Sequence, residues 1–285
     1  MMRTAQPISP NFMGVTMFAF DHVVLHVHDL GKALDDYTTL GFTVIPGGEL
    51  VGGIMHNALI CLPDGVYLEL LAAKDRSKLT ELRVRQATTA SEFERRFIRY
   101  LLGEAGLVDF ALLPDDMDTA VARLVEGGIG VEGPLPGGRQ RPDGTQLAWR
   151  FAFPKKSDLP FLLVDDTPRE LRIPTGAARQ HRNGVSGLTG VVVAAKDPAK
   201  LAAPYATLLG QSPVESSFAN AGITLEFVLP SGHWVKLAGQ PAPGSALEAH
   251  LRDHGDGLFQ VNLVSGHGDG FFNYERAHQA RIYVE

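Results

Sequence analysis

The sequence predicts an α+β fold built from repeated βαβββ modules. Three observations carry that expectation. A pattern of strand, aspartate, helix, glycine and strand occurs three times, at 20–44, 106–131 and 187–214. The glycine follows the aspartate by 12, 12 and 13 residues (Asp29 to Gly41, Asp116 to Gly128, Asp197 to Gly210). Further β-branched and apolar runs, separated by turn residues, follow each helix.

The elements can be read in order. Residues 1–17 form a loose leader without an apolar run of signal-peptide length. The first module spans 18–73. Leu30, Ala33, Leu34 and Tyr37 make a helical stripe, Asp29 caps it and Gly41 ends it. Strands are expected at about 42–46, 57–62 and 66–72, with Pro63-Asp64-Gly65 as a turn. A connecting helix at 89–103 opens with Ser91 and Glu94 as a capping box and carries Phe93, Phe97, Tyr100 and Leu101 on one face. The second module spans 106–168. Its helix shows Met117, Ala120, Val121 and Leu124, and its later strands fall at about 128–133, 146–153 and 160–165. A linker follows at 169–184, and its basic stretch reads as surface. In the third helix Pro198 suits the first turn, but Pro204 should kink it or delay its start. Strands at about 211–216, 222–229 and 233–238 complete that module. Segments 258–265 and 281–285 are two strands of a worn fourth copy, so 185–285 is a degenerate module pair.

Composition bounds the partners. The net charge of −6 gives no electrostatic case for nucleic acid or an anionic membrane surface. No apolar run is long enough to cross a bilayer. Cys61 is the only cysteine, so no intrachain disulfide or thiolate zinc site can form, in keeping with a cytoplasmic protein. The glycine-rich loops 47–53 and 133–145 lack the order of a phosphate loop and read as hairpin or lid loops. Arg139, Arg141 and Arg150 are candidates there for meeting an anionic substrate.

Several side chains point to chemistry. On the first strand His22, Val24, His26 and His28 share one face, opposite Val23, Leu25 and Val27. Glu69 lies in the apolar run Tyr67-Leu68-Glu69-Leu70, where an ionised carboxylate needs a partner. Seven residues before the capping aspartate stand His22 in the first copy and Asp109 in the second. His56 and Asn57 follow a glycine-rich loop at the entry to a strand.

With DHVVLHVHDL opening the first module and NALICLPDGVYLELLA following, the chain resembles the vicinal-oxygen-chelate superfamily, in its glyoxalase-like branch. The resemblance covers about 18–240. It implies that modules pair and that their mixed sheets cup around a divalent metal such as zinc, nickel, iron or manganese. It implies His22, Glu69 and Asp109 as metal ligands. Glu69, Asp109 or Asp165 then act as the proton-handling carboxylates, and His26, His56, Asn57, Tyr67 and Arg150 as substrate contacts. In the second module Val164 stands where the family places its fourth-strand carboxylate, with Asp165 as a substitute if the strand is bulged. The third module offers Gly190 and Lys236, neither a useful ligand. The implied activity is that of a metal-dependent lyase or isomerase acting on a small molecule with vicinal oxygens. The alternatives are a metal-free cup that binds a drug or an aromatic molecule, as in resistance proteins, and a ring-cleaving dioxygenase. Such modules often pair between chains, so a homodimer is an expectation, although four modules can pair internally.

Overall fold

The computed structural model describes residues 17–50, 53–89, 91–140, 144–156 and 158–285. Residues 1–16 of the expected leader, and Arg141, lie outside these residues. The first module contains β1 (Phe18–His26), α1 (Leu30–Thr39), β2 (Ile45–Glu49), β3 (Met55–Cys61) and β4 (Tyr67–Ala73). Two helices follow, α2 (Leu79–Thr88) and α3 (Glu92–Leu102). The second module contains β5 (Gly106–Pro114), α4 (Met117–Glu126), β6 (Val131–Gln140), β7 (Gln146–Pro154) and β8 (Phe161–Asp165). A short helix, α5 (Arg169–Arg172), leads to the third module: β9 (Val185–Ala194), α6 (Pro198–Leu209), β10 (Val214–Glu215), β11 (Ala221–Val228) and β12 (Trp234–Pro241). The remainder is α7 (Ala246–Asp253), β13 (Gly257–Ser265), β14 (Gly270–Phe271) and β15 (Ile282–Val284).

The helix starts follow from side-chain capping. Asp29, Asp116 and Asp197 each accept the N–H of the residue three positions on, which satisfies a donor that the first turn leaves free. Ser91 accepts from the Glu94 N–H. The late start expected from Pro204 is corrected, because α6 begins at Pro198 and runs through Pro204. Pro204 removes one backbone hydrogen bond, and burial of Leu201, Tyr205, Leu208 and Leu209 on the same helix offsets the loss. The helices α2 and α7 had no counterpart in the sequence reading.

Modules pair through their first strands. β1 and β5 are antiparallel neighbours at the centre of a sheet ordered β2-β3-β4-β1-β5-β8-β7-β6. β9 and β13 do the same in a sheet ordered β10-β11-β12-β9-β13-β15-β14. The strands alternate their side chains between two environments. Val23, Leu25, Leu68, Leu70 and Phe110 join α1, α4 and α6 in one continuous core that spans both halves. Val24, Leu71, Ala111, Phe153 and Phe161 face the inside of the first curled sheet, where α3 lays Phe97, Ile98 and Tyr100 on them. Polar ties also join the halves. The Leu188 N–H donates to Asp64 at 2.7 Å, and the Tyr37 hydroxyl donates to the Ala277 carbonyl at 3.0 Å.

Candidate active site in the first cup

The site begins with strand register. β4 runs parallel to β1 and sets Tyr67 beside His22 and Glu69 beside Val24. His22 and Glu69 therefore face the same interior, with His22 Nε2 3.4 Å from Glu69 Oε2. The Tyr67 ring stacks on the imidazole at 4.6 Å. β3 brings Asn57 alongside, and its amide donates to Glu69 Oε1 at 2.5 Å. On the other side of the imidazole, Nδ1 donates to Asp21 Oδ1 at 2.6 Å.

Asp21 is fully buried and is held by arginines from the 169–184 segment. Arg172 donates to its two oxygens at 3.0 and 2.8 Å and to the Tyr67 hydroxyl at 2.8 Å. The same guanidinium donates to both oxygens of Asp165, at 2.5 and 2.7 Å. Arg169 reaches Asp21 and Asp165 as well. The basic stretch thus does more than cross the surface: Arg172 is 4% exposed and organises the site. The charges in this chain of contacts balance when His22 is protonated, since three carboxylates then meet two guanidiniums and one imidazolium. Burial opposes charge on His22, but its hydrogen bonds to Asp21 and Glu69 outweigh it and raise the pKa above the ordinary histidine value. Burial likewise opposes charge on Asp21, and Arg172, His22 and Arg169 overcome it to hold the carboxyl well below its usual range. Glu69 is also lowered, with burial outweighed by His22 and Asn57.

These groups open onto a cavity of about 50 Å³. Its other walls are apolar and aromatic, including Phe97, Trp149, Phe151 and Phe161. Arg139 also lines it and donates to the Gly47 carbonyl.

The second half of the cup departs from the expected ligand set. His22 pairs with Ala111, and Val24 with Asp109, across the β1–β5 boundary. The local two-fold axis therefore carries His22 onto Asp109 and Val24 onto Ala111. Asp109 is the counterpart of His22, as the spacing implied, but its carboxylate is engaged elsewhere. It accepts from Arg96 at 3.1 Å, from the Tyr100 hydroxyl and from the Phe110 N–H at 2.8 Å. Arg96 is itself fixed by three backbone carbonyls, those of Pro154, Lys156 and Leu159. β8 pairs with β5 so that Phe161 stands beside Ala111, as Glu69 stands beside Val24. The fourth-strand position is thus Phe161, not Val164 or Asp165. Val164 lies on the opposite, helix-facing side of the strand. Among the described residues, no three His, Cys, Asp or Glu side chains come together as a metal would require. The ligand trio His22, Glu69 and Asp109 is therefore not assembled, and the residues present do not fit a resident metal.

Other expected contacts also move. His56 alternates with Asn57 and points off the cup face, where burial and Lys74 lower its pKa. His26 is buried further along β1 and bonds the Glu104 carbonyl at 3.0 Å, outside the cavity lining. Arg150 lies on the far side of β7 and pairs with Asp166 at 2.9 Å. Asp165 is on the cup face but is bound by Arg172 and Arg169. Tyr67 and Asn57 line the cavity. The sequence reading missed Asp21, Arg172 and Trp149. Asp21 had a signal in its place beside His22; Arg172 had none beyond a basic run.

The third module agrees with expectation. Gly190 and Lys236 occupy the positions of His22 and Glu69, and the Trp234 side chain lies across Gly190. Lys236 pairs with Glu226.

Comparison with known proteins agrees with this architecture. The glyoxalase-like domain family matches residues 20–209, about two thirds of the chain. The chain belongs to the glyoxalase-like domain family. No curated protein matches it. Among solved structures, it is similar to a hypothetical protein from Staphylococcus aureus, with a TM-score of 0.71 at 14% identity, covering 94% of this chain and 99% of that one. A triple mutant of 4-hydroxymandelate synthase from Streptomyces coelicolor gives 0.52 at 16% identity, covering 87% and 71%. The Mn(II)-bound glyoxalase from Novosphingobium aromaticivorans gives 0.50 at 12% identity, covering 88% and 67%. At these identities the likeness is one of fold. No helix among the described residues is long and apolar enough to cross a membrane.

Proposed function

We propose that the first cup of this glyoxalase-like protein binds a small, oxygen-bearing aromatic molecule without a resident metal. One observation carries the reading. The two positions that would complete a metal site hold an Asp109 already engaged by Arg96 and Tyr100, and the apolar Phe161. The cavity that remains has aromatic walls and one polar corner. A small cavity of this kind fixes orientation with a few placed polar groups. His22, whose pKa is raised by Asp21, is the hydrogen-bond donor for a carbonyl or phenolic oxygen when it carries its second proton. Glu69, turned by Asn57, is the acceptor, and a proton can pass between ligand and carboxylate at Oε2.

A second reading, the metal-dependent lyase or isomerase, draws support from one geometric fact. An imidazole whose Nδ1 is held by a carboxylate and whose Nε2 lies 3.4 Å from a second carboxylate is a common half of a metal site. The Mn(II)-bound glyoxalase neighbour keeps metal use in view.

The test is metal content by inductively coupled plasma mass spectrometry, on untagged protein purified without chelators, beside Glu69→Ala. In parallel, thermal shift is measured with phenols and aromatic ketones. The proposal expects no stoichiometric transition metal and a ligand-induced shift that His22→Ala abolishes. About one equivalent of metal, lost in Glu69→Ala, would replace it with the second reading.

A further inference from the structure

A larger cavity, of about 290 Å³, lies between the two halves and shares no lining residue with the first cup. One wall is the end of α3 and the start of β5. The other is α7, the start of β13 and the segment leading into β15. Arg281 lines this second wall. Its guanidinium lies 4.7 Å from the Phe259 ring centre and 4.6 Å from that of Phe271. Among the described residues Arg281 makes no hydrogen bond through its side chain and meets no carboxylate. Its Nε is buried without a partner.

His250, on α7, repeats the pattern. Its Nε2 is buried and unpartnered, its ring is 5.2 Å from Phe259, and His254 lies 5.1 Å away. The acidic groups nearby do not answer these donors. Asp109 is bound by Arg96 and Tyr100, Asp256 accepts the Lys196 N–H, and Glu104 and Asp158 are exposed. Burial lowers the Arg281 pKa, and burial with His254 and Arg281 lowers that of His250 to about 4. Arg281 is half-buried, and a guanidinium whose buried Nε lacks an acceptor is the feature that a carboxylate or phosphate satisfies with two parallel bonds.

We propose that this cleft binds a small organic anion, its carboxylate or phosphate group held by Arg281 and His250 and its apolar body lying against Tyr100 and Phe259. The aromatic faces suit a flat body, and the stacking of Arg281 between two rings presets its fork. The α3 helix separates the two sites: Phe97 lines the cavity of the first cup, whereas Arg99 and Tyr100 line the cleft.

The test is isothermal titration of the full chain with benzoate and, separately, inorganic phosphate, each up to about 10 mM. At least one probe is expected to bind, and which one identifies the headgroup. Arg281→Gln is expected to weaken that binding about tenfold or more. His250→Ala is expected to weaken it about threefold, and it reads the site independently if Arg281→Gln lowers the yield of folded protein. His22→Ala is expected to leave it unchanged, which separates the cleft from the first cup. Failure of both probes to bind would overturn the proposal, as would affinity indifferent to both cleft substitutions. Loss of binding in His22→Ala would assign the anion to the first cup and overturn it too.

Discussion

Replacing Asp21 by asparagine keeps the shape of a fully buried side chain and deletes one charge. In the native protein that carboxylate accepts hydrogen bonds from Arg172, Arg169 and His22. Removing one partner of a buried ion pair costs about 3–5 kcal/mol. Arg172 keeps both of its bonds to Asp165, so the lower end applies, about 3 kcal/mol. At about 2 °C per kcal/mol for a chain of this size, the melting temperature should fall by about 6 °C. The imidazole reports a second effect. With the Asp21 charge gone, Glu69 is the one carboxylate left to oppose burial, and the His22 pKa should drop from its raised value toward or below the ordinary one. The linkage has a definite sign. A raised histidine pKa contributes stability that is complete below about 6.5 and is lost as pH rises through the folded value. Asp21→Asn should therefore flatten that alkaline-side loss. The lowered Asp21 carboxyl acts oppositely: its contribution is present above about 3.9 and is lost as pH falls through the folded value, so the variant should also lose part of the acid-side decline. The assays are circular-dichroism melts across pH and the NMR titration of His22. A variant that melts within about 1 °C of wild type, with His22 titrating as before, would refute the charge chain as the organiser of this site.

Phe161→Glu places a carboxylate at the symmetry mate of Glu69 and should raise Mn(II) affinity at least about tenfold over wild type by calorimetry, since three protein donors then face one point; unchanged affinity would refute the register argument. Gly190→Ala should destabilise by about 1–3 kcal/mol, because a Cβ there would come within 2.3 Å of the Trp234 backbone oxygen and indole; a chemical-denaturation midpoint equal to wild type would refute it. Tyr100→Phe removes a donor from the buried Asp109 carboxylate and should cost about 1.5–3 kcal/mol. An unchanged stability there would mean that Arg96 alone satisfies Asp109.

The neighbouring residues Asp21 and His22 illustrate how much of the site could be read from the chain. His22 and Glu69 were legible because each breaks a local rule: an imidazole on an alternating strand, and a carboxylate in an apolar run. Asp21 sat in the same stretch, but its role depends on Arg172, 151 residues away in the sequence. Phe161 was misplaced for a related reason. The long β6–β7 hairpin makes the second module's path from first to fourth strand longer than the first module's, and counting residues cannot supply the offset that pairing with Ala111 fixes.

By itself, the sequence determined what local chemistry controls. The aspartate caps, the helical stripes, the turn glycines and the alternation of strand faces set the βαβββ repeat and its order. They also set the face on which His22 and Glu69 meet. Tertiary structure alone decided which distant charges share the interior with them. It brought Arg172 onto Asp21, turned Arg96 onto Asp109, put Phe161 opposite Glu69 and left Arg281 stacked without an acceptor. Sequence spacing fixes neighbours along one strand, whereas strand register and helix docking fix neighbours across the sheet, and the chemistry of this protein depends on the latter.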